Sequence, residues 1–247
     1  MIDYQQQTYG QEVAELYDLL HPGVLTTDAA VRTLAELVGA DPVLELGVGT
    51  GRLAIPLAQL GIPVTGVDVA PAMLHRLASK PGGDLVLTLL GDFGDLDHVD
   101  GLPPEFPLVF VAADSFFMLT SQEEQIRAFE GVARRLPVGG RFVIEAFVPG
   151  RGASTNGGVA VRMVTADSVV LGMSTHDPHR QLITGQQILI DASGIQLAPG
   201  VLRYAPPAEL DLMARLAGLV LASRWGSWRQ EPFTGECLRH VSVYTKH

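Results

Sequence analysis

The chain reads as an α/β protein built on a doubly wound, mainly parallel sheet of seven strands, with an antiparallel β insertion after the fifth strand. Three observations predict this. Short apolar runs alternate with stretches of helical spacing from Val43 to Phe147, the pattern of βαβ units whose strands are buried on both faces. A glycine-rich turn, Gly47-Val48-Gly49-Thr50-Gly51, falls where the first of these strands passes into a helix. Between residues 157 and 204 the pattern changes to short alternating segments separated by turn residues, which marks antiparallel strands. With 247 residues, of which 47% are hydrophobic, one domain spanning 1–247 has a full core and no second domain is needed.

The elements follow in order. Gln11 to Leu20 has amphipathic spacing, and Thr27 or Asp28 can cap a second helix running to Val38, so residues 1–38 form a helical cap ahead of the sheet. Val43 to Leu46 is the first strand and Leu53 to Leu60 its helix. Pro63 to Asp68 is the second strand, after which Pro71 opens a helix to Ala78 with Met73, Leu74 and Leu77 turned inward. Leu85 to Leu90, Pro107 to Ala112 and Arg141 to Phe147 supply strands three to five, with a helix over Gln122 to Leu136 between the last two. The insertion divides into Val159–Thr165, Ser168–His176, Leu182–Ile190 and Gly194–Tyr204. A helix over Pro206 to Ala217 and a strand pair, Leu219–Trp225 and His240–Tyr244, complete the seven.

The glycine turn carries the first chemical signal. Gly47, Gly49 and Gly51 permit positive φ and let the backbone approach a ligand. A dinucleotide enzyme would present G-x-G-x-x-G and seat a pyrophosphate on the helix N-terminus. Here the spacing is G-x-G-x-G, and Glu45 stands two residues ahead of it. That carboxylate repels a pyrophosphate and favours an ammonium or sulfonium group. S-adenosylmethionine carries both cations and no phosphate. Asp68 ends the second strand about twenty residues beyond the turn, the place of a ribose-hydroxyl acceptor in nucleotide-binding folds.

On these residues the chain resembles the class I S-adenosylmethionine-dependent methyltransferases, whose first motif is an acid followed by G-x-G-x-G. The resemblance covers roughly the first 150 residues. It implies a Rossmann-like fold and S-adenosylmethionine as cofactor, with Val69 and Met73 lining the adenosine and Asp92 and Phe93 holding the adenine. Glu45, Asp68 and Asp92 then stand at the C-terminal ends of three successive strands, where open α/β sheets bind ligands. A dehydrogenase and a bare α/β scaffold remain the alternatives for this half.

Composition narrows the partners. A formal net charge of −10 and the absence of any Lys/Arg-rich run disfavour nucleic acid and anionic membrane surfaces. The single cysteine, Cys237, allows neither a disulfide framework nor a thiolate metal cluster and fits a reducing cytoplasm. The first residues lack the basic and apolar regions of a signal peptide, and no apolar run reaches membrane-spanning length. A soluble, cytoplasmic protein is expected. His176-Asp177-Pro178-His179 looks like a metal pair, yet Pro178 places it in a hairpin turn and no further ligands accompany it, so no metal is expected. Trp225, Trp228 and Arg229 fit either a pocket edge or strand packing.

The methyl acceptor is read from two segments. After the fourth strand the chain has Asp114-Ser115-Phe116-Phe117-Met118-Leu119 in place of the Asn/Asp-Pro-Pro-Tyr loop of methyltransferases acting on nucleic acid or protein amides. Tyr9 to His21 resembles the opening helix of actinobacterial antibiotic-pathway N-methyltransferases that act on amino sugars or on the proline amine of lincosamides. The resemblance implies that this helix closes over the cofactor and that Tyr9 and Tyr17 reach the methyl group and the substrate. Phe117 is expected as an apolar wall suited to a bulky aliphatic amine, a small-molecule acceptor of the lincosamide type. An amine of pKa ~8 is already roughly a quarter neutral near pH 7.5, so orientation by Tyr9, Tyr17 and Phe117 outweighs base catalysis. The insertion is expected to cover the pocket and to share in a homo-oligomer interface. An O-methyltransferase using a histidine base, and a cofactor-binding module without catalysis, remain open.

Overall fold

The computed structural model describes residues 14, 17, 24–150 and 157–247. Helix α1 spans Val24–Val38, followed by β1 (Val43–Leu46), α2 (Ala54–Gln59), β2 (Val64–Asp68), α3 (Pro71–Ala78), β3 (Val86–Leu90) and β4 (Leu108–Val111). Then come α4 (Gln122–Arg135), β5 (Arg141–Phe147), the strands β6 (Gly158–Val164), β7 (Val169–Asp177), β8 (Leu182–Asp191) and β9 (Gly194–Arg203), helix α5 (Pro207–Leu216), β10 (Leu219–Trp225) and β11 (Arg239–Lys246). Helix α1 begins at Val24, ahead of the expected caps Thr27 and Asp28, which lie inside it. Of the expected N-terminal helix, Ala14 and Tyr17 alone are described.

Seven strands form one sheet in the order β10-β11-β5-β4-β1-β2-β3. Strands β1 to β5 run parallel, and β11 lies antiparallel to β5 and β10. The expected Rossmann-like seven-stranded α/β architecture is therefore present. The central strands are apolar throughout because both faces are covered. Along β4, Leu108 and Phe110 pack with Leu34 of α1 and Leu57 of α2 on one side. Val109 and Val111 pack with Phe129 and Val132 of α4 on the other. On this second side Phe129 meets Phe116, Phe142 and Tyr244 edge-on at 5.3, 5.3 and 5.7 Å. Helix α4 is held at its start by a full capping box between Ser121 and Glu124.

The strands after β5 form a separate four-stranded antiparallel sheet, β6-β7-β8-β9. A buried polar knot ties it to the main body. Arg203, at the end of β9, donates to Gln125 Oε1 of α4 at 2.7 Å, to Gln181 Oε1 at 2.9 Å and to Glu209 Oε1 of α5 at 2.8 Å. Gln125 Nε2 returns a bond to the Arg203 carbonyl at 2.7 Å. Trp228 is buried in the second core and Trp225 packs beside it, so the tryptophans serve packing. Among the described residues no helix is long and apolar enough to cross a membrane.

Candidate functional site

The strand order reverses between β1 and β4, and the loops leaving β1 to β4 converge there on a cavity of about 470 Å3, within the ~300–1,000 Å3 range of small-molecule sites. The glycine turn forms part of its wall. Gly47, Gly49 and Gly51 have φ of 68°, 55° and 82°, a succession glycine adopts at least cost. Gly47 and Gly49 face the cavity, and a Cβ on Gly47 would press on Ser115 Cβ at 3.2 Å. Gly51 is placed elsewhere than expected: a Cβ there would lie 2.9 Å from Ile55 and Leu77, so its role is the packing of α2 on α3.

The carboxylates surround the turn. Glu45 is 5% exposed, and among the described residues its Oε2 has no hydrogen-bond partner. Burial pushes its pKa up to about 8, with Asp68 adding to the rise and Arg52 and the Ala54 N–H opposing it. Asp68 lines the cavity and accepts from Gly49 N at 2.8 Å and Ala70 N at 2.9 Å. Burial raises its pKa against those bonds. Val69 and Met73 follow it on the wall. Asp92 caps the 3-10 turn Phe93–His98 by accepting from Gly94 N at 2.7 Å, and Asp92 and Phe93 both face the cavity.

A fourth acid, Asp114, was not singled out from the sequence. It follows β4 as Asp68 ends β2 and Asp92 follows β3, and that recurrence was the available signal. Ala113 and Asp114 both have positive φ, 53° and 66°. Non-glycine residues held there cost about 1–3 kcal/mol and persist where surrounding bonds over-determine them. Here Ala113 N donates to Glu145 Oε2 at 2.9 Å, and Phe147 N to Asp114 Oδ1 at 2.8 Å. Arg239 clamps Asp114 with two bonds of 2.8 and 3.0 Å and reaches Glu145 at 3.3 Å. Burial raises the Asp114 pKa, opposed by Arg239.

Tyr17 lines the cavity and packs against Met73 and Ala198, bridging α3 and β9. Burial first, then Asp68, Glu45 and Asp114 against the lowering effect of Arg52, push its pKa up to about 12. The phenol is therefore protonated at neutral pH. Tyr9 lies outside the described residues. Phe117 does not form the expected wall: it is fully buried and meets Phe147 edge-on at 5.1 Å. The reason is the 3-10 turn Ser115–Met118, in which positions i and i+3 eclipse. Ser115 and Met118 face the cavity, while Phe116 and Phe117 point into the core.

The opposite wall comes from the insertion. Register pairs Gly172, Gln187 and Ala198 across β7, β8 and β9, and next to them Ser174, Gly185 and Gly200. These positions share a face of the sheet, and all but Gln187 are glycine, alanine or serine, which leaves space against the strand ends. His176 is bonded to the Tyr204 hydroxyl at 2.9 Å, and Asp177 accepts from His179 N and Arg180 N in the β7–β8 turn.

A model of a methyltransferase domain matches residues 43–140. The cypemycin N-terminal methyltransferase of a Streptomyces species is 32% identical over 92% of this chain and 92% of its own. The chain belongs to the methyltransferase family. Among solved structures, the CcbJ methyltransferase from Streptomyces caelestis is 39% identical and superimposes with a TM-score of 0.88 over 98% of this chain and 99% of its own. The amino pentose methyltransferase CalS10 from Micromonospora echinaspora, solved with S-adenosylmethionine bound, shares the fold at 21% identity, with a TM-score of 0.65 over 99% of this chain and 93% of its own. This methyltransferase uses S-adenosylmethionine, and its residues fit that group. The buried, unpartnered Glu45 Oε2 suits a cationic donor, Gly49 leaves open space at the turn, and Asp68 suits ribose hydroxyls.

Proposed function

We propose that this methyltransferase acts on an amine nitrogen of a small natural product, with the proline-ring nitrogen of an N-demethyl lincosamide precursor as the foremost acceptor. The observation that carries the reading is the cavity itself. It is walled by the insertion sheet opposite the strand ends, at a size for small molecules, and beyond the acids read as cofactor contacts, Asp68 and Asp92, its polar lining combines Asp114 with the neutral phenol of Tyr17. Such a lining draws in amines, which are cationic in water. Among the described residues no histidine lines it, where an O-methyltransferase would hold a base. Supporting the nitrogen reading, the relative aligned over 92% of this chain is named for N-terminal methylation, and an amino sugar is the second acceptor to test.

When bound, S-adenosylmethionine supplies an electrophilic methyl group. The chain's own contribution is to select and hold the acceptor. Asp114, fixed by Arg239, attracts the amine, and the Tyr17 hydroxyl donates to or accepts from it without changing charge. The insertion sheet keeps bulk water from the reacting nitrogen. Orientation of this kind is worth ~7–11 kcal/mol, against a factor of ~100–10,000 from a general base. Incubation with labelled S-adenosylmethionine and a panel of N-demethyl lincosamides, amino sugars and phenols tests the reading. N-methyl product from an amine is expected; label in phenols and in no amine would overturn it.

A further inference from the structure

Among the described residues Arg162, itself exposed, is the one lysine or arginine on the cavity lining, and the transfer of a methyl group does not explain it. Arg162 sits in β6 at a register shift between Val161 and Met163, a bulge of the sort that re-aims a side chain. Its side chain lies across Gly172 of β7: a Cβ there would meet Arg162 Nε at 2.6 Å, Cγ at 3.3 Å and Cζ at 3.4 Å. Glycine at 172 therefore makes the seat for the guanidinium, and both residues line the cavity. Among the described residues Arg162 makes no hydrogen bond or ion pair. The acids on the wall do not use it, since Asp68 and Asp92 are bonded to backbone N–H groups and Asp114 to Arg239.

We infer that Arg162 reads a carboxylate on the methyl acceptor, so that the substrate is an amine that also bears an anionic group; a lincosamide precursor, whose proline carboxyl is already an amide, meets this only by carrying a carboxylate elsewhere. The inference rests on the N-methylation reading for the amine and on the Arg162–Gly172 geometry for the anion. A guanidinium fork matches a carboxylate with two parallel bonds. A phosphate dianion would bring twice the negative charge towards Asp68 and Asp92 across the same cavity, which disfavours it. The acceptor then arrives as a zwitterion, its ammonium drawn to Asp114 and its carboxylate to Arg162, and releases the ammonium proton to solvent before the neutral nitrogen attacks the methyl group.

The test measures binding of three amines to the enzyme saturated with S-adenosylhomocysteine, by calorimetry. Proline, pipecolic acid and glycine are each compared with their own carboxamide, in the wild type, Arg162→Gln and Arg162→Lys. In at least one pair, Arg162→Gln is expected to weaken the carboxylate member about tenfold or more and to leave the carboxamide within about twofold. Arg162→Lys should retain part of the preference, and affinity for S-adenosylhomocysteine should not change. Equal weakening of both members, a preference that survives Arg162→Gln, or no preference in any pair overturns the inference. So does weaker S-adenosylhomocysteine binding with unchanged ratios, which would assign the guanidinium to the cofactor's own carboxylate. A charge preference without any N-methyl product would instead retain Arg162 and refute the N-methylation reading.

Discussion

Three glycines in one turn do different work, although the motif presents them alike. Gly49 has positive φ, open space around it and a place on the cavity wall, whereas Gly51 has positive φ and side chains pressed against it on the core side. Alanine at 51 would combine backbone strain with overpacking against Ile55 and Leu77, so Gly51→Ala should lower stability by about 1–3 kcal/mol in denaturant titrations. Gly49→Ala should fold but bind S-adenosylhomocysteine more weakly in calorimetry. If Gly51→Ala keeps full stability, its assignment to packing is wrong. The glycines themselves were legible in the sequence because each needs a backbone region closed to other residues. Their division between ligand and core was not, because it depends on what lies against each Cα. Phe117 shows the same limit: its type announced an aromatic wall, and a single 3-10 turn placed Met118 there.

Among the elements, the insertion sheet depends on one buried arginine. Arg203 and Glu209 are 8% and 18% exposed at the side chain. Burial pushes the Glu209 pKa up, and the bonds from Gln181, Arg203 and Gln122 outweigh that and hold it low. Removing one member leaves the rest desolvated without partners, so Arg203→Met should cost about 3–5 kcal/mol. It should also raise the acceptor KM more than the cofactor Kd if the proposed site is right, because β9 carries part of the cavity wall. Unaltered denaturation with unaltered KM would show that the sheet is held by other contacts. The four strands were legible from their alternation. The knot was not, since Gln125 and Arg203 are 78 residues apart and neither carries a local signal.

Across the whole molecule, buried carboxylates dominate the pH response. Glu45 has a folded pKa of about 8 against ~4.3 when unfolded. The protonated group's contribution is full below ~4.3 and is lost as pH rises towards 8. Asp68, raised in the same direction, adds to the loss. The cofactor-free protein should therefore lose stability from pH ~5 to ~8 in denaturant titrations. Glu45→Gln should flatten that slope, and cofactor binding should release protons, seen by calorimetry in buffers of different ionisation enthalpy. A slope untouched by Glu45→Gln would refute this role.

The sequence by itself determined the α/β order of elements, the glycine turn and the acids Glu45, Asp68 and Asp92 at or beside the strand ends, because these are set by hydrophobic period, backbone permissiveness and charge type within short spans. The tertiary structure alone decided which residues meet across the cavity. Asp114 became a site residue through Arg239, which lies 125 positions away. Arg162 did so through a bulge and a glycine on the next strand. Such assignments arise from packing of distant segments, and no local pattern encodes the distance between them.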